Sequence, residues 1–173
     1  MKKLFSLAIL AAMALMVVSC SKDDDDTDST ANRLNFANKL TQNSTSGTWE
    51  GYETSMRKEG GWVDGTKRYA VIRFDRATTS DIKGTGQLVA FENKYMDTFR
   101  EGSEFEWYFD EDMLHITWRH AGWQPAYAEY RTNELVIDGD TFRGEWFEKT
   151  DFKWHFSYTK SNFNDWSKYV NNQ

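Results

Sequence analysis

Residues 103–120 read SEFEWYFDEDMLHITWRH, and this stretch decides the fold. Its first half alternates strictly, with Phe105, Trp107 and Phe109 on one side and acidic residues on the other. After the acidic turn DED, the same phase recurs in Leu114, Ile116 and Trp118. Alternation with a period of two indicates half-buried strands, and two such strands joined by a tight turn indicate an antiparallel hairpin.

The same alternation recurs on both sides of this hairpin. It predicts strands over residues 47–56, 66–75, 82–91, 103–110, 111–120, 126–138, 138–148 and 151–160. No stretch of helical period separates any two of them, so parallel crossovers are disfavoured. We therefore predict an all-β protein of about eight antiparallel strands in an up-and-down meander. Closure into a barrel hides the sheet edges best, and a flat sandwich is the alternative. The tail SNFNDWSKYVNNQ is compatible with one short C-terminal helix.

Composition supports strands and bounds the partners. Aromatic residues make up 16% of the 173 residues, with eight tryptophans, and large aromatic side chains favour strands. Without its first 19 residues the chain carries 19 basic and 27 acidic residues, a formal charge of -8. No basic cluster follows, which argues against nucleic acid as a partner.

The N-terminus has the three parts of a secretory signal. Lys2 and Lys3 form a basic start, residues 4–18 are almost wholly apolar, and Ser19 is small. The apolar run of about 15 residues is shorter than the roughly 20 that a spanning helix needs. We therefore interpret residues 1–19 as a signal peptide.

Val17-Val18-Ser19-Cys20 resembles a bacterial lipobox, the processing signal of lipoproteins. The resemblance implies cleavage before Cys20 and attachment of diacylglycerol to its sulfur. Cysteine suits this role because a thiolate is the nucleophile that takes the lipid. Cys20 is the only cysteine, so the chain cannot form an intramolecular disulfide.

The residues after Cys20 resemble the export signal of surface lipoproteins in the Bacteroidota. They are Ser21, Lys22, Asp23, Asp24, Asp25 and Asp26. The resemblance implies a protein anchored in the outer membrane by its lipid and exposed on the cell surface. A run of like charge is typical of a solvated tether. We therefore expect a lipidated, flexible segment over residues 20–45 and a barrel domain over residues 46–173. The sequence near residues 34–40 is compatible with a helical turn, but a linker is favoured there.

Gly47-Thr48-Trp49 resembles the G-x-W signature that opens the first strand in the calycin group, which includes lipocalins and avidins. This resemblance implies a lipocalin-like barrel. It also implies that Gly47 and Trp49 belong to the plug at the closed end.

An eight-stranded barrel is either filled by its own side chains or holds one small ligand. The aromatic stripe is either core or the wall of a cup whose open end presents tryptophan, tyrosine and a few polar groups. Candidate ligand contacts at strand ends are Tyr69, Trp118, Tyr130 and Trp154, with Arg131 as a polar partner. Trp62 and Trp123 lie in predicted loops, where an aromatic residue either folds back or meets a ligand or partner.

Other chemistry has little support in the sequence. The histidines at 115, 120 and 155 lack the spacing of a metal site. The acids of residues 104–112 alternate with the aromatic residues or occupy the turn, as a solvated face does. No nucleophile elbow, Walker loop or dinucleotide fingerprint is present. We therefore expect no catalytic residues, no metal, no cofactor and no enzyme.

Three functions remain open. The leading hypothesis is a cell-envelope lipoprotein that binds a small apolar or carbohydrate ligand in the barrel mouth, and a cavity open to solvent would favour it. The alternative is a solid barrel that contacts another envelope protein, for which an exposed aromatic patch would be expected. A small hydrolase is the third, and it requires two carboxyl groups that converge in a cleft with perturbed pKa values.

Overall fold

The computed structural model describes residues 24–120, 122–129 and 135–170. Two helices, α1 (Asp24–Leu40) and α2 (Trp166–Tyr169), flank the strands. The strands are β1 (Ser46–Lys58), β2 (Trp62–Asp75), β3 (Lys83–Phe91), β4 (Phe99–Asp110), β5 (Met113–Trp118), β6 (Ala126–Glu129), β7 (Leu135–Asp138), β8 (Thr141–Lys149) and β9 (Phe152–Lys160). The predicted functional residues Cys20, Ser21, Lys22, Asp23, Tyr130 and Arg131 lie outside the described residues.

The strands form one closed antiparallel sheet. Each strand from β1 to β6 pairs with the next along the chain, β9 returns to β1, and β8 pairs with β9. The ring closes where β6 meets β8, with Tyr127 opposite Phe147. The result is an eight-stranded barrel with β7 as one additional strand at the start of β8. This confirms the all-β barrel and decides against the flat sandwich.

The predicted strand over residues 126–138 is divided into β6 and β7, and both lie along β8. Tyr127 is opposite Phe147, whereas Leu135 is opposite Gly144. Tyr127 and Leu135 are eight positions apart along the chain, whereas their partners on β8 are only three positions apart. One register therefore cannot continue from β6 to β7.

Aromatic side chains fill the barrel near α1. Trp49, Phe74, Phe105 and Phe142 are fully buried. Phe74 contacts Phe105 edge-to-face, with ring centroids 5.3 Å apart, and Trp49 contacts Phe142 in the same way at 5.5 Å. Large rings in this arrangement add stability beyond their buried area. This half of the barrel is therefore solid.

The end of α1 covers this half of the barrel. Ala37 and Leu40 are fully buried in the core, and Phe36 packs edge-to-face on Phe109 at 5.7 Å. Trp49 Nε1 donates a hydrogen bond of 2.8 Å to the carbonyl oxygen of Leu40. The expectation of a linker is therefore wrong for residues 24–40. Residues 24–40 are mostly polar, but a few apolar residues among them lie at helical spacing. Their burial against the barrel stabilises a helix that would be marginal alone.

Gly47 lies against the turn that follows α1. A Cβ atom at this position would lie only 2.7 Å from the Cα atom of Thr41. Gly47 and Trp49, the two residues assigned to the barrel plug, thus both contact the segment that covers the barrel.

The first hairpin is tighter than predicted. The predicted strands end at residue 56 and begin again at residue 66, but β1 and β2 continue until Lys58 pairs with Trp62. Gly60 makes this turn possible because its φ of 76° suits glycine. Trp62 is therefore a strand residue, not a loop residue. Its ring lies 6.4 Å from that of Phe147.

The predicted C-terminal helix is present as α2. Trp166 is buried in a second apolar cluster with Val71, Val89 and Phe91, on the outer face of β2 and β3. Tyr169 adds an edge-to-face contact with Phe91 at 5.2 Å. This helix supports the barrel wall from outside and leaves the interior unchanged.

Candidate functional site at the barrel mouth

A cavity of about 180 Å³ lies inside the barrel at the end away from α1. We call it the inner chamber. Its position follows from the register of β1 and β9: Trp49 pairs with Lys160 at the covered end, and Ser55 pairs with Trp154 at the other. Four tryptophans line it: Trp118, Trp123, Trp146 and Trp154. The interior is thus filled at one end and hollow at the other.

The same alternation that builds the core places charged residues in the chamber. Glu53 follows the inward-facing Trp49 and Gly51 on β1, and Arg68 precedes the inward-facing Ala70 on β2. Both side chains are buried, with 1% and 6% of their surface exposed. Glu101 and Glu148 also line the chamber.

Arg68 joins two of these carboxylates. Its Nε lies 2.5 Å from Glu53 Oε2, and its Nη1 is hydrogen-bonded to Glu101. Burial by itself lowers the pKa of Arg68, but attraction by Glu53 and Glu101 outweighs it and raises this pKa. A buried charge pair of this kind is costly to break, because the remaining charge is left uncompensated.

Two further groups complete this network. The hydroxyl of Tyr158 donates a hydrogen bond to Glu53 from the solid core below. Burial, reinforced by the charge of Glu53, raises the pKa of Tyr158 well above its usual value. The guanidinium carbon of Arg68 lies 4.0 Å from the ring centroid of Trp154 and 5.9 Å from that of Trp123. Arg68 is therefore fixed by carboxylates on its edge and by indole rings on its faces.

Glu148 is the third carboxyl group of the chamber. Burial raises its pKa, although the hydrogen bond from Trp154 Nε1 to its Oε1, 2.9 Å long, acts in the opposite direction. Unlike Glu53 and Glu101, Glu148 forms no ion pair with Arg68 or with any other cation in the described part of the chain.

One hydrogen-bond donor in the chamber wall lacks an acceptor among the described residues. The bonds of Arg68 to the glutamates use Nε and Nη1, and Nη2 makes none. Nη2 keeps some accessible surface, so water or a ligand can reach it. Trp118 Nε1 also has no partner in the described structure, but it is fully buried and therefore closed to the chamber.

A second cavity of about 480 Å³, which we call the vestibule, adjoins the chamber. Glu148, Gly122 and Phe152 line both cavities. Glu101 also keeps 35% of its side-chain surface exposed. A larger cavity of about 680 Å³ lies outside the barrel, near Arg76 and Tyr108. It is open and lacks the buried charge network, so the mouth is the better candidate.

The predicted ligand contacts divide into two groups. Trp118 and Trp154 line the chamber, and so does Trp123, which was assigned to a loop. Tyr69 faces the outside, because its neighbours Arg68 and Ala70 face inward, and it packs edge-to-face on Tyr52 at 5.2 Å. Trp62 also lies outside the barrel, with the ammonium of Lys153 4.4 Å from its ring centroid.

Sequence reasoning missed Glu53, Arg68, Glu101 and Glu148. A signal for the first two was present, since each is a charged residue in the inward phase of its strand. The acids that were weighed, in residues 104–112, include Glu104 and Glu106, which form exposed ion pairs with Arg119 outside the barrel.

Comparison with known proteins gives no family. No protein-family model matches this sequence, and no curated protein matches it. Within residues 24–120, 122–129 and 135–170, no three histidine, cysteine, aspartate or glutamate side chains are grouped as a metal site would require. In the same ranges, no helix has the length and apolar character needed to cross a membrane.

Proposed function

We propose that this protein is a non-enzymatic, lipid-anchored envelope protein that binds a small ligand in the mouth of its barrel. The observation that carries the proposal is the inner chamber, a cavity with four tryptophans and a buried charge network. Pockets with aromatic walls and a few fixed polar groups are typical of small-molecule sites.

A carbohydrate fits this chamber better than a purely apolar ligand. Indole rings offer flat faces to the C–H groups of a sugar ring, and the carboxylates accept hydrogen bonds from its hydroxyl groups. The free Nη2 of Arg68 donates in return. An apolar ligand would leave Nη2 of Arg68 and the remaining carboxylate lone pairs without partners, which is unfavourable.

The size of the chamber limits what enters it. Its 180 Å³ corresponds to roughly six water molecules at about 30 Å³ each. A single sugar ring is of this scale, whereas a haem or a fatty acid is larger. The vestibule of about 480 Å³ is available to the rest of a longer ligand.

The anchor in this proposal is Cys20, within the lipobox resemblance. Ser21, Lys22 and Asp23 separate it from the start of α1, and the far end of α1 covers the solid end of the barrel. In this arrangement the lipid attaches through the closed end of the barrel, opposite the ligand-binding mouth. The resemblance of residues 21–26 to an export signal supports a protein displayed on the outer membrane surface.

The test of ligand binding is intrinsic fluorescence of the full-length chain in mild detergent. Four of its eight tryptophans line the chamber, so a bound ligand should change the emission. We expect a saturable response to at least one glycan, and none to fatty acids or haem-like compounds. If a folded, cooperatively unfolding protein responds to no member of the panel, ligand binding is refuted and a protein partner becomes the better hypothesis.

A second function, glycoside hydrolysis, is favoured by one observation. Three carboxyl groups line the chamber, and burial raises the pKa of Glu148, as a general acid requires. Glycosidases use two such groups across the sugar, but here Glu53 and Glu101 are both bound to Arg68. Turnover of chromogenic glycosides that is lost in Glu148→Gln would establish this function. Binding without turnover would leave the protein as a binder.

A further inference from the structure

We infer that the ligand group held in the inner chamber combines an ammonium group with hydroxyl oxygens, as an amino sugar does. This inference rests on the proposed function and names the chemical class of its ligand.

The described residues that line the chamber carry a net negative charge. Among them, Glu53, Glu101 and Glu148 accompany one cation, Arg68. Arg68 binds Glu53 and Glu101, so these three side chains together carry one net negative charge. Glu148 adds another when it is ionised. A compact cation near Glu148 would offset this excess. An anionic ligand would increase it, in surroundings where charges are poorly screened.

Glu148 is the carboxyl group best placed to meet that cation. It lines both the chamber and the vestibule, so a ligand that enters through the vestibule passes it. Burial raises its pKa, and a bound ammonium group would lower it again by stabilising the ionised form. One of its oxygens, Oε1, already accepts the hydrogen bond from Trp154.

The free donor of Arg68 requires an oxygen acceptor on the same ligand. Nη2 makes no hydrogen bond within the described structure and keeps some accessible surface. An ammonium group offers only donors and cannot satisfy it. A ligand that matches the whole chamber therefore needs hydroxyl or ring oxygens as well as the cation.

The tryptophans are compatible with a cation. The guanidinium of Arg68 already lies against Trp154, which shows that the indole rings of the chamber accept a positive charge on their faces. Trp118 and Trp123, which contact each other at 5.1 Å, supply further aromatic surface.

The vestibule does not select for charge in the same way. It contains equal numbers of cations and carboxylates, namely Arg57, Lys58, Lys149, Glu59, Glu148 and Asp151. Discrimination by charge is therefore expected from the part of the ligand that reaches the chamber.

The experiment compares three monosaccharides that differ in one substituent: glucose, glucosamine and glucuronic acid. Each is titrated near neutral pH into the full-length chain in mild detergent, with calorimetry and tryptophan emission as readouts. We expect glucosamine to bind at least about tenfold more tightly than glucose. A tenfold difference in affinity corresponds to about 1.4 kcal/mol, and a partly buried charge pair contributes more than this. Glucuronic acid should bind most weakly.

Glu148→Gln removes one negative charge and keeps an oxygen that can accept the bond from Trp154. It should lower the ratio of the glucosamine affinity to the glucose affinity towards one, because a neutral amide does not attract the ammonium group. Glu106→Gln is the matched control, because Glu106 is 65% exposed on the outer face and away from the chamber. It should change neither affinity. Thermal unfolding of both variants establishes that they are folded.

The outcomes separate the two proposals. Equal affinity for glucose and glucosamine in the unmodified chain, or tighter binding of glucuronic acid, overturns the ammonium inference and leaves carbohydrate binding intact. Absence of binding for all three sugars by a folded chain overturns carbohydrate binding and the inference together.

Discussion

Leu40→Ala tests whether α1 belongs to the folded unit or acts as a tether. Leu40 is fully buried in the core at the covered end of the barrel, where its carbonyl oxygen accepts the hydrogen bond from Trp49. The substitution leaves that backbone bond possible and removes only apolar side-chain atoms. Its effect therefore measures how strongly the end of the helix is packed on the barrel.

The expected magnitude follows from complete burial. Truncation of a buried leucine to alanine costs about 3 to 5 kcal/mol, from lost transfer free energy and the cavity that remains. For a domain of this size, each kcal/mol lowers the melting temperature by roughly 3 °C, so a decrease of about 10 °C is expected. Urea unfolding, followed by tryptophan emission and by circular dichroism, gives the free energy of unfolding directly.

Leu34→Ala is the matched control on the same helix. Leu34 is only half-buried and is not part of the core, so its truncation should cost about 1 kcal/mol or less. If Leu40→Ala is no more destabilising than Leu34→Ala, the packing of α1 on the barrel is refuted. The earlier picture of a tether would then apply to residues 24–40.

Four further predictions concern other parts of the molecule. Gly86→Ala should destabilise the barrel by about 1 to 3 kcal/mol in urea unfolding, because a Cβ atom there overlaps the ring of a core phenylalanine; unchanged stability would contradict this close approach. Since burial raises the pKa of Glu148, the neutral form favours folding, and this contribution is lost as the pH rises through the folded-state pKa. Glu148→Gln should therefore gain stability over the unmodified chain as the pH rises, and a gain that is equal at all pH values would count against the buried carboxyl. Burial, then the charge of Glu50, raises the pKa of Tyr69 to about 12; Glu50→Gln should lower it in an ultraviolet titration, and no shift would exclude their contact. Cys20→Ala should abolish lipidation and stable membrane association, whereas stable association through a lipid would refute the proposed anchor.

Much of the fold could be predicted from the alternation of residues. The hairpin of residues 103–120 pairs as expected, with Trp107 opposite Ile116 and Phe105 opposite Trp118. Alternate residues of a paired strand lie on the same face of the sheet. The inward-facing residues of most strands could therefore be predicted once the strands were recognised. Closure was favoured over a flat sandwich, since an open sheet of eight strands would leave two unpaired edges.

The candidate site was only partly predictable. Trp118 and Trp154 were predicted as ligand contacts, and Trp123 as a loop residue that folds back or meets a ligand or partner. All three line the chamber. Tyr69 was assigned to the same group, although the inward phase of its strand belongs to Arg68 and Ala70. Consistent use of that phase would have excluded Tyr69 and identified Arg68 instead.

The sequence by itself determined much of what depends on neighbours along the chain: the positions and faces of most strands, and the resemblance of the N-terminus to a lipoprotein signal. Only the tertiary structure decided what depends on distant residues. It brought Glu53, Arg68 and Glu101 from three strands into one buried network, and it placed α1 over the barrel end. The physical reason is that a charge or a few apolar residues in a polar segment have no fixed environment until the sheet closes around them. Burial then sets both their partners and their energies.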